Sequence, residues 1–158
     1  MAEEKTNVMR LLDQKKIPYT PHQYDVSDGT LDAVTAAERV GVDPMSCFKT
    51  LVTVGASKKN YVFVIPGPME LDLKAAAKAA GEKSIEMLKQ AQLLPLTGYI
   101  HGGCSPVGMK KRFPTFIDVS AQELEEMTVS AGKVGHQVTL APQALAGFVG
   151  ARFAPIAK

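Results

Sequence analysis

The sequence has little with which to cross-link itself, hold a metal or enter a bilayer. Only two cysteines, Cys47 and Cys104, occur in 158 residues, which excludes the disulfide framework that staples small secreted domains. Cys47 adjoins an apolar strand and reads as a small buried hydrophobe. Three histidines, His22, His101 and His136, are scattered. His101 and Cys104 have His-x-x-Cys spacing, but no second close pair accompanies them, so no metal is expected. No apolar run approaches the ~18 residues of a membrane span, and residues 1–10 are charged and lack the apolar stretch of a secretion signal. A cytoplasmic protein without a membrane role is expected. An excess of charge of one sign is missing too. Eighteen Lys and Arg against sixteen Asp and Glu leave a net +2, too small for a general nucleic-acid binder. Any RNA contact must come from a local basic patch or lean on a partner. With no internal repeat and no low-complexity linker, residues 1–158 read as a single domain. A chain of this size buries roughly 70% of its unfolded surface, enough for one core.

What is present alternates between helical and extended signals. Residues 5–16 predict a helix with Val8, Leu11 and Leu12 on one face, ended by Pro18. A short strand over 19–24 follows, then a turn at Ser27-Asp28-Gly29. Thr30 is placed to cap a helix from Leu31 to Val40, stopped by Gly41. Phe48 to Val54 and Tyr61 to Ile65 predict paired strands. Asp72 to Ala80 predicts a helix ended by Gly81. Residues 84–87 predict a brief strand, and a helix from Leu88 is expected to end by Leu94 because Pro95 follows. Strands are expected over 113–119, 126–130 and 137–141, and a last helix from Pro142 to about Val149. The interspersed order suggests a mixed α/β (α+β) fold, a barrel-like sheet flanked by helices.

Two segments carry chemical interest. Gly98 to Gly108 is a glycine- and proline-rich loop in which Gly102 and Gly103 leave room for a ligand to approach the main chain. Open N–H groups in such a loop cradle an oxyanion or a phosphate, although a tight connection without a ligand has the same composition. It is neither a P-loop, because Met109-Lys110 follows Gly108, nor a hydrolase elbow, because Pro106-Val107 follows Ser105. In the strand from Phe48, alternation sets Lys49 on a face with Leu51 and Thr53, opposite Phe48, Thr50 and Val52. A lysine turned into a barrel interior requires an anion or oxygen ligand; one facing water at the strand start does not. Lys110-Lys111-Arg112 could grip phosphates or serve as a solvated face. Lys74 and Lys78, helix neighbours at i, i+4, could extend that patch or aid solubility alone. No Ser/His/Asp or Cys/His set is evident in the sequence.

The stretch TGYIHGGCSPVGMKKR from Thr97 to Arg112, with Phe48-Lys49-Thr50-Leu51-Val52, Glu70-Leu71-Asp72-Leu73-Lys74, Val129-Ser130-Ala131-Gly132-Lys133 and Pro18…His22-Gln23-Tyr24, resembles the YbaK/EbsC family of bacterial Cys-tRNA(Pro) deacylases. The pieces occur in the family's order and cover nearly the whole chain. The resemblance implies a compact barrel-like mixed sheet, related to the editing domain inserted in prolyl-tRNA synthetases. It implies hydrolysis of the ester joining a wrong amino acid to tRNA, without cofactor, with prolyl-tRNA synthetase as partner. It makes Lys49 the key pocket residue, and Tyr24, Gly102, Ser105 and Ser130 match other pocket positions. There are departures: Ala131 replaces a common second glycine, Pro95 interrupts a more helical stretch, and Cys104 replaces an aliphatic residue, with packing expected of it.

Under that resemblance Lys49, Gly102 and Gly103 are the expected catalytic groups. Tyr24, Ser105, Pro106, Gly108 and Ser130 are expected to bind substrate, and Lys110, Lys111 and Arg112 to contact tRNA. A cysteinyl substrate brings its own thiol, so the enzyme needs only to bend it and stabilise the oxyanion. Two alternatives stay open: a same-fold deacylase for another residue, such as alanine on tRNA(Pro), and a non-catalytic module holding a nucleotide or RNA end.

Overall fold

The computed structural model describes residues 5–29 and 32–158. Helix α1, Asn7–Gln14, starts where Thr6 Oγ1 accepts the Met9 N–H at 3.3 Å, and it buries Val8, Met9 and Leu12. Strand β1 is Thr20–Gln23. Helix α2, Ala33–Val40, is capped by Asp32, whose carboxylate accepts the Thr35 N–H at 2.8 Å, and ends on left-handed Gly41. The expected cap Thr30 and start Leu31 lie outside the described residues.

Strands β2, Phe48–Gly55, and β3, Asn60–Pro66, form the expected antiparallel pair. Helix α3, Leu73–Ala80, runs from its Asp72 cap to left-handed Gly81. Strand β4, Ile85–Met87, follows. Helix α4, Gln90–Thr97, contains Pro95 rather than ending before it. The proline lacks only the one N–H that would reach Ala91. The Thr97 hydroxyl donating to Leu93 C=O and Gly98 N–H donating to Leu94 C=O, both at 2.8 Å, close the helix beyond it.

Strand β5 is Thr115–Asp118, β6 Met127–Lys133 and β7 His136–Leu140. Helix α5, Pro142–Val149, matches its expected bounds, and a final strand β8, Arg152–Ala154, had no alternation to announce it. Buried Asp118 fixes that end of the chain: its Oδ1 accepts the Ile156 and Ala157 N–H groups, each at 3.0 Å.

The strands form two sheets, ordered β1-β7-β6 and β4-β2-β3-β5-β8. The first is antiparallel. In the second, β3, β5 and β8 run parallel, and β2 is antiparallel to β3 and β4. The barrel expected from the sequence is not closed. Among the described residues the sheets meet through one parallel bridge, Cys47 to Thr128. β4 pairs with β2 only over Thr53 to Gly55, and β6 loses regular pairing between Ser130 and Lys133. Among the described residues, no strand therefore pairs with positions 49–51 of β2 on that edge.

One core joins the sheets. Phe48, Val52, Val62 and Val64 pack with Val129, Val138, Leu140 and α1. Each such buried aliphatic or aromatic side chain contributes about 1.5–3 kcal/mol. The reverse face of β2 and β3 packs Phe63, Ile65 and Leu51 against Ala76 and Ala77 of α3, with Phe63 stacked on Phe116 at 5.4 Å. Among the described residues no helix is long and apolar enough to cross a membrane.

Candidate active site

The incomplete seam between the sheets leaves a cavity of about 490 Å³, within the range of small-molecule sites. Its walls come from the free edge of β2, the start of α2, the segment from Met87 to Leu93, the glycine loop, and Ser130 and Gln137 of β6 and β7. Met87, Gln90 and His101 are exposed and mark the mouth, whereas Phe48 and Gln137 are buried and mark the floor. Gly67 is required at the wall because an added Cβ would stand 2.8 Å from the Ala33 Cβ.

Of the residues singled out in the sequence, the cavity brings together Tyr24, Lys49, Gly102 and Ser130. Lys49 shares a strand face with Leu51, as alternation predicts, and that face packs on α3. It does not point between the sheets; it reaches the cavity because the cavity opens at the β2 edge. Among the described residues its ammonium has no ion pair or hydrogen bond. The strand also offers main chain. Val52 C=O accepts the Leu88 N–H at 3.1 Å on the β4 side. Alternation then turns the N–H and C=O of Thr50 to that same side, where no strand faces them.

Gly102 has φ +87°, a left-handed conformation that a side chain would strain. Gly103 lies behind it and does not line the cavity: its N–H donates to Ile100 C=O at 3.0 Å, and an added Cβ would press on the Val134 amide at 3.1 Å. Ser105 is fully buried, and its Oγ accepts the Val107 N–H at 3.2 Å, bracing the loop. Pro106 and Gly108 line a separate surface hollow with Lys111 and Arg112. Lys110, Lys111 and Arg112 are exposed; Lys110 lies over Gly98, and Arg112 donates to Phe148 C=O at 3.4 Å. Tyr99, which no motif marks as functional, anchors the loop. Its hydroxyl donates to Val107 C=O, and its ring occupies the space that a Cβ on Gly132 would need.

Two further residues were missed. Thr50 and Gln137 line the cavity, and each carries a buried side-chain oxygen, Oγ1 and Oε1 respectively, that has no partner among the described residues. A signal for Gln137 existed. Between β6 and β7, Met127 faces Leu140 and Val129 faces Val138 on the apolar face, so Thr128, Ser130, Gln137 and Thr139 form a polar stripe on the other. Thr128 and Thr139 hydroxyls bond at 2.6 Å, and His22 Nε2 meets Thr139 Oγ1 at 2.9 Å, which accounts for His22 structurally.

Burial pushes the Cys104 thiol up to about 12 and raises Cys47 as well, against a smaller opposing hydrogen bond from Gln137. Both thiols stay protonated at neutral pH, so neither is an activated nucleophile. Burial likewise raises Tyr24, partly opposed by the Gly135 amide. Among the described residues no three His, Cys, Asp or Glu side chains gather to hold a metal ion.

Comparison with known proteins accords with this arrangement. The profile described as the aminoacyl-tRNA editing domain matches residues 28–148. A protein of Enterococcus faecalis whose name proposes it as a Cys-tRNA(Pro)/Cys-tRNA(Cys) deacylase, EbsC, is 48% identical over 155 residues, covering 98% of this chain and 94% of that protein. A crystal structure presented as a proposed trans-editing enzyme for prolyl tRNA synthetase superposes with TM-score 0.83 over 98% of this chain and 99% of its own, at 23% identity. That of a hypothetical protein superposes with TM-score 0.88 over 97% and 100%, at 21% identity. These two structures speak to the fold alone. The profile spans most of the sequence and the Enterococcus relative nearly all of it, so the chain belongs to the aminoacyl-tRNA editing domain family.

Proposed function

We propose that the protein is a trans-editing hydrolase that cleaves the ester of mischarged aminoacyl-tRNA, with Cys-tRNA(Pro) its substrate. The observation that carries this is that Lys49, without a partner among the described residues, and left-handed Gly102 share one cavity whose two nearby thiols are held protonated. The site binds and polarises but lacks an activated nucleophile of its own. The name of the Enterococcus relative supports the same substrate.

In this reading the tRNA 3′ end enters at the mouth and the aminoacyl group reaches the floor. The cysteinyl sulfur bonds to its own carbonyl carbon, and the bond from that carbon to the ribose oxygen breaks. The thiol proton ends on the released hydroxyl, and water later opens the cyclic thioester. Gly102 N–H and the Thr50 main-chain amide stabilise the oxyanion, each such donor being worth about 3–4 kcal/mol. Lys49 holds the ester end or the terminal ribose and phosphate. Gly103 and Ser105 shape the loop behind. Lys110, Lys111 and Arg112 contact phosphates outside the cavity, and the modest net charge leaves selection of one tRNA to a partner, prolyl-tRNA synthetase. The domain spans residues 1–158 and works in the cytoplasm.

A panel of Cys-, Ser- and Ala-charged tRNA(Pro) tests this. Rapid release from Cys-tRNA(Pro) and far slower release from Ser-tRNA(Pro) are expected, because a hydroxyl is the weaker nucleophile. Equal rates would require an activated water. Preference for Ala-tRNA(Pro) would assign another substrate, and binding without turnover of any would make the protein a binding module.

A further inference from the structure

The floor of the cavity keeps a polar side chain whose oxygen nothing among the described residues satisfies. Gln137 is only 5% exposed, and its Oε1 has no hydrogen-bond partner. Thr50 Oγ1, elsewhere on the same wall, is a second buried orphan. Such an acceptor costs about 1–3 kcal/mol, and native structures retain few of them. The other end of the Gln137 amide is tied weakly, its Nε2 donating to Cys47 Sγ at 3.4 Å; sulfur is a poor acceptor. The backbone is fixed, since β7 is the central strand and Gln137 pairs with both Ser130 and His22. Only the last side-chain torsion is soft, and turning about it swings Oε1 toward the cavity without moving the strand.

We infer that Gln137 is a specificity-determining residue that receives the α-ammonium of the aminoacyl group, with Thr50 Oγ1 as a second acceptor. This rests on the deacylase reading above. The body of a tRNA is too large for the cavity and stays outside, so what reaches the floor is the amino acid, whose strongest donor is its ammonium. The charged groups on the wall steer it. Lys49 repels a cation and attracts the ester end. Asp32 is exposed at the α2 start, and its carboxylate already accepts the Thr35 N–H and hydroxyl, at 2.8 and 3.0 Å. His101 is exposed at the mouth. Neutral acceptors remain: Gln137 Oε1, Thr50 Oγ1 and Ser130 Oγ, the last already receiving the Gly132 N–H at 3.1 Å. An ammonium at Gln137 and a carbonyl toward Lys49 fix the direction in which the ester lies.

The test uses two hydrolysis-resistant probes, 3′-cysteinylamino-3′-deoxyadenosine and its counterpart lacking the amine, 3′-(3-mercaptopropionyl)amino-3′-deoxyadenosine. Affinities are measured calorimetrically for wild type, Gln137→Met and Gln137→Glu, with thermal melts to verify folding. Wild type should prefer the amine at least tenfold. Gln137→Met should weaken the amine probe alone and bring the ratio near one, and Gln137→Glu, which keeps an acceptor and adds charge, should hold or raise it. The inference is overturned if wild type shows no preference or binds neither probe, or if Gln137→Met leaves the ratio within twofold or weakens both probes equally. Should Gln137→Met fail to fold, a fall in the ratio for Gln137→Glu overturns it. Cleavage of Cys-tRNA(Pro) is followed alongside. A wild type that prefers the amine but cleaves nothing sinks the catalytic reading and leaves the seat; one that cleaves without the preference sinks the seat alone.

Discussion

Replacing Lys49 by methionine separates catalysis from stability more cleanly than any other change in this site. The ammonium makes no ion pair or hydrogen bond among the described residues, and methionine retains most of its apolar stem. Loss of such a group alters folding stability by about 0.5 kcal/mol or less, a shift of roughly 1–2 °C in a domain this size. The effect on the reaction is larger. A unit charge about 4 Å from the negative charge that develops on the ester end as its bond to the ribose breaks is worth about 4 kcal/mol at an effective dielectric constant of 20. Lys49 is partly exposed, so water screens it, and about 2–3 kcal/mol is the appropriate figure, as for a hydrogen bond to a charged group. That corresponds to a roughly 30- to 150-fold fall in kcat/KM. Single-turnover deacylation of Cys-tRNA(Pro) beside a thermal melt measures both quantities. Lys49→Arg should recover part of the loss, because the charge remains while the shape changes. A folded Lys49→Met enzyme within threefold of wild type would refute the reasoning.

Three other outcomes are expected. Iodoacetamide at pH 8 should leave native Cys47 and Cys104 unlabelled, since burial keeps both thiols protonated, whereas in denaturant both should react; rapid labelling of Cys104 in the folded protein would contradict its assignment as packing. Burial pushes the Asp118 carboxyl up, but hydrogen bonds from Ser120, Ile156 and Ala157 outweigh it and hold the group below its ordinary value. A carboxyl depressed on folding stabilises above its unfolded pKa and ceases to do so as pH falls through the folded one. Asp118→Asn should therefore cost about 2 kcal/mol in urea unfolding at pH 7, with the gap narrowing below about pH 4; a gap constant with pH would disprove the charge's role. Neutralising Lys110, Lys111 and Arg112 together should weaken tRNA binding across sequences and lower the slope of log affinity against log salt by roughly one for each phosphate no longer neutralised; an unchanged slope would leave the run a solvated face.

The elements legible in the sequence were those set by local chemistry. Asp72 and Gly81 bound α3, and Pro142 opens α5, because caps and fixed φ values act within one turn. Alternation in Phe48 to Val54 placed Lys49 correctly beside Leu51. Pro95 misled because inside this short helix its missing N–H removes only the bond to Ala91, and the bonds made by Thr97 and Gly98 close the helix beyond it. The barrel-like mixed sheet was legible but its degree of closure was not, since closure depends on whether β6 continues alongside β2 beyond the Cys47–Thr128 bridge, a long-range matter.

The sequence alone determined the family, the order of strands and helices as far as α5, and the choice of a glycine loop and a strand lysine as the segments of interest. Tertiary structure decided which members of that loop meet the cavity, Gly102 reaching it while Gly103 spends its amide on Ile100 and Ser105 its hydroxyl on Val107. It alone revealed the orphan oxygens of Thr50 and Gln137. Backbone propensity is written in near neighbours, whereas burial and the presence or absence of a hydrogen-bond partner depend on residues far away in the chain, as Cys47 is ninety positions from Gln137.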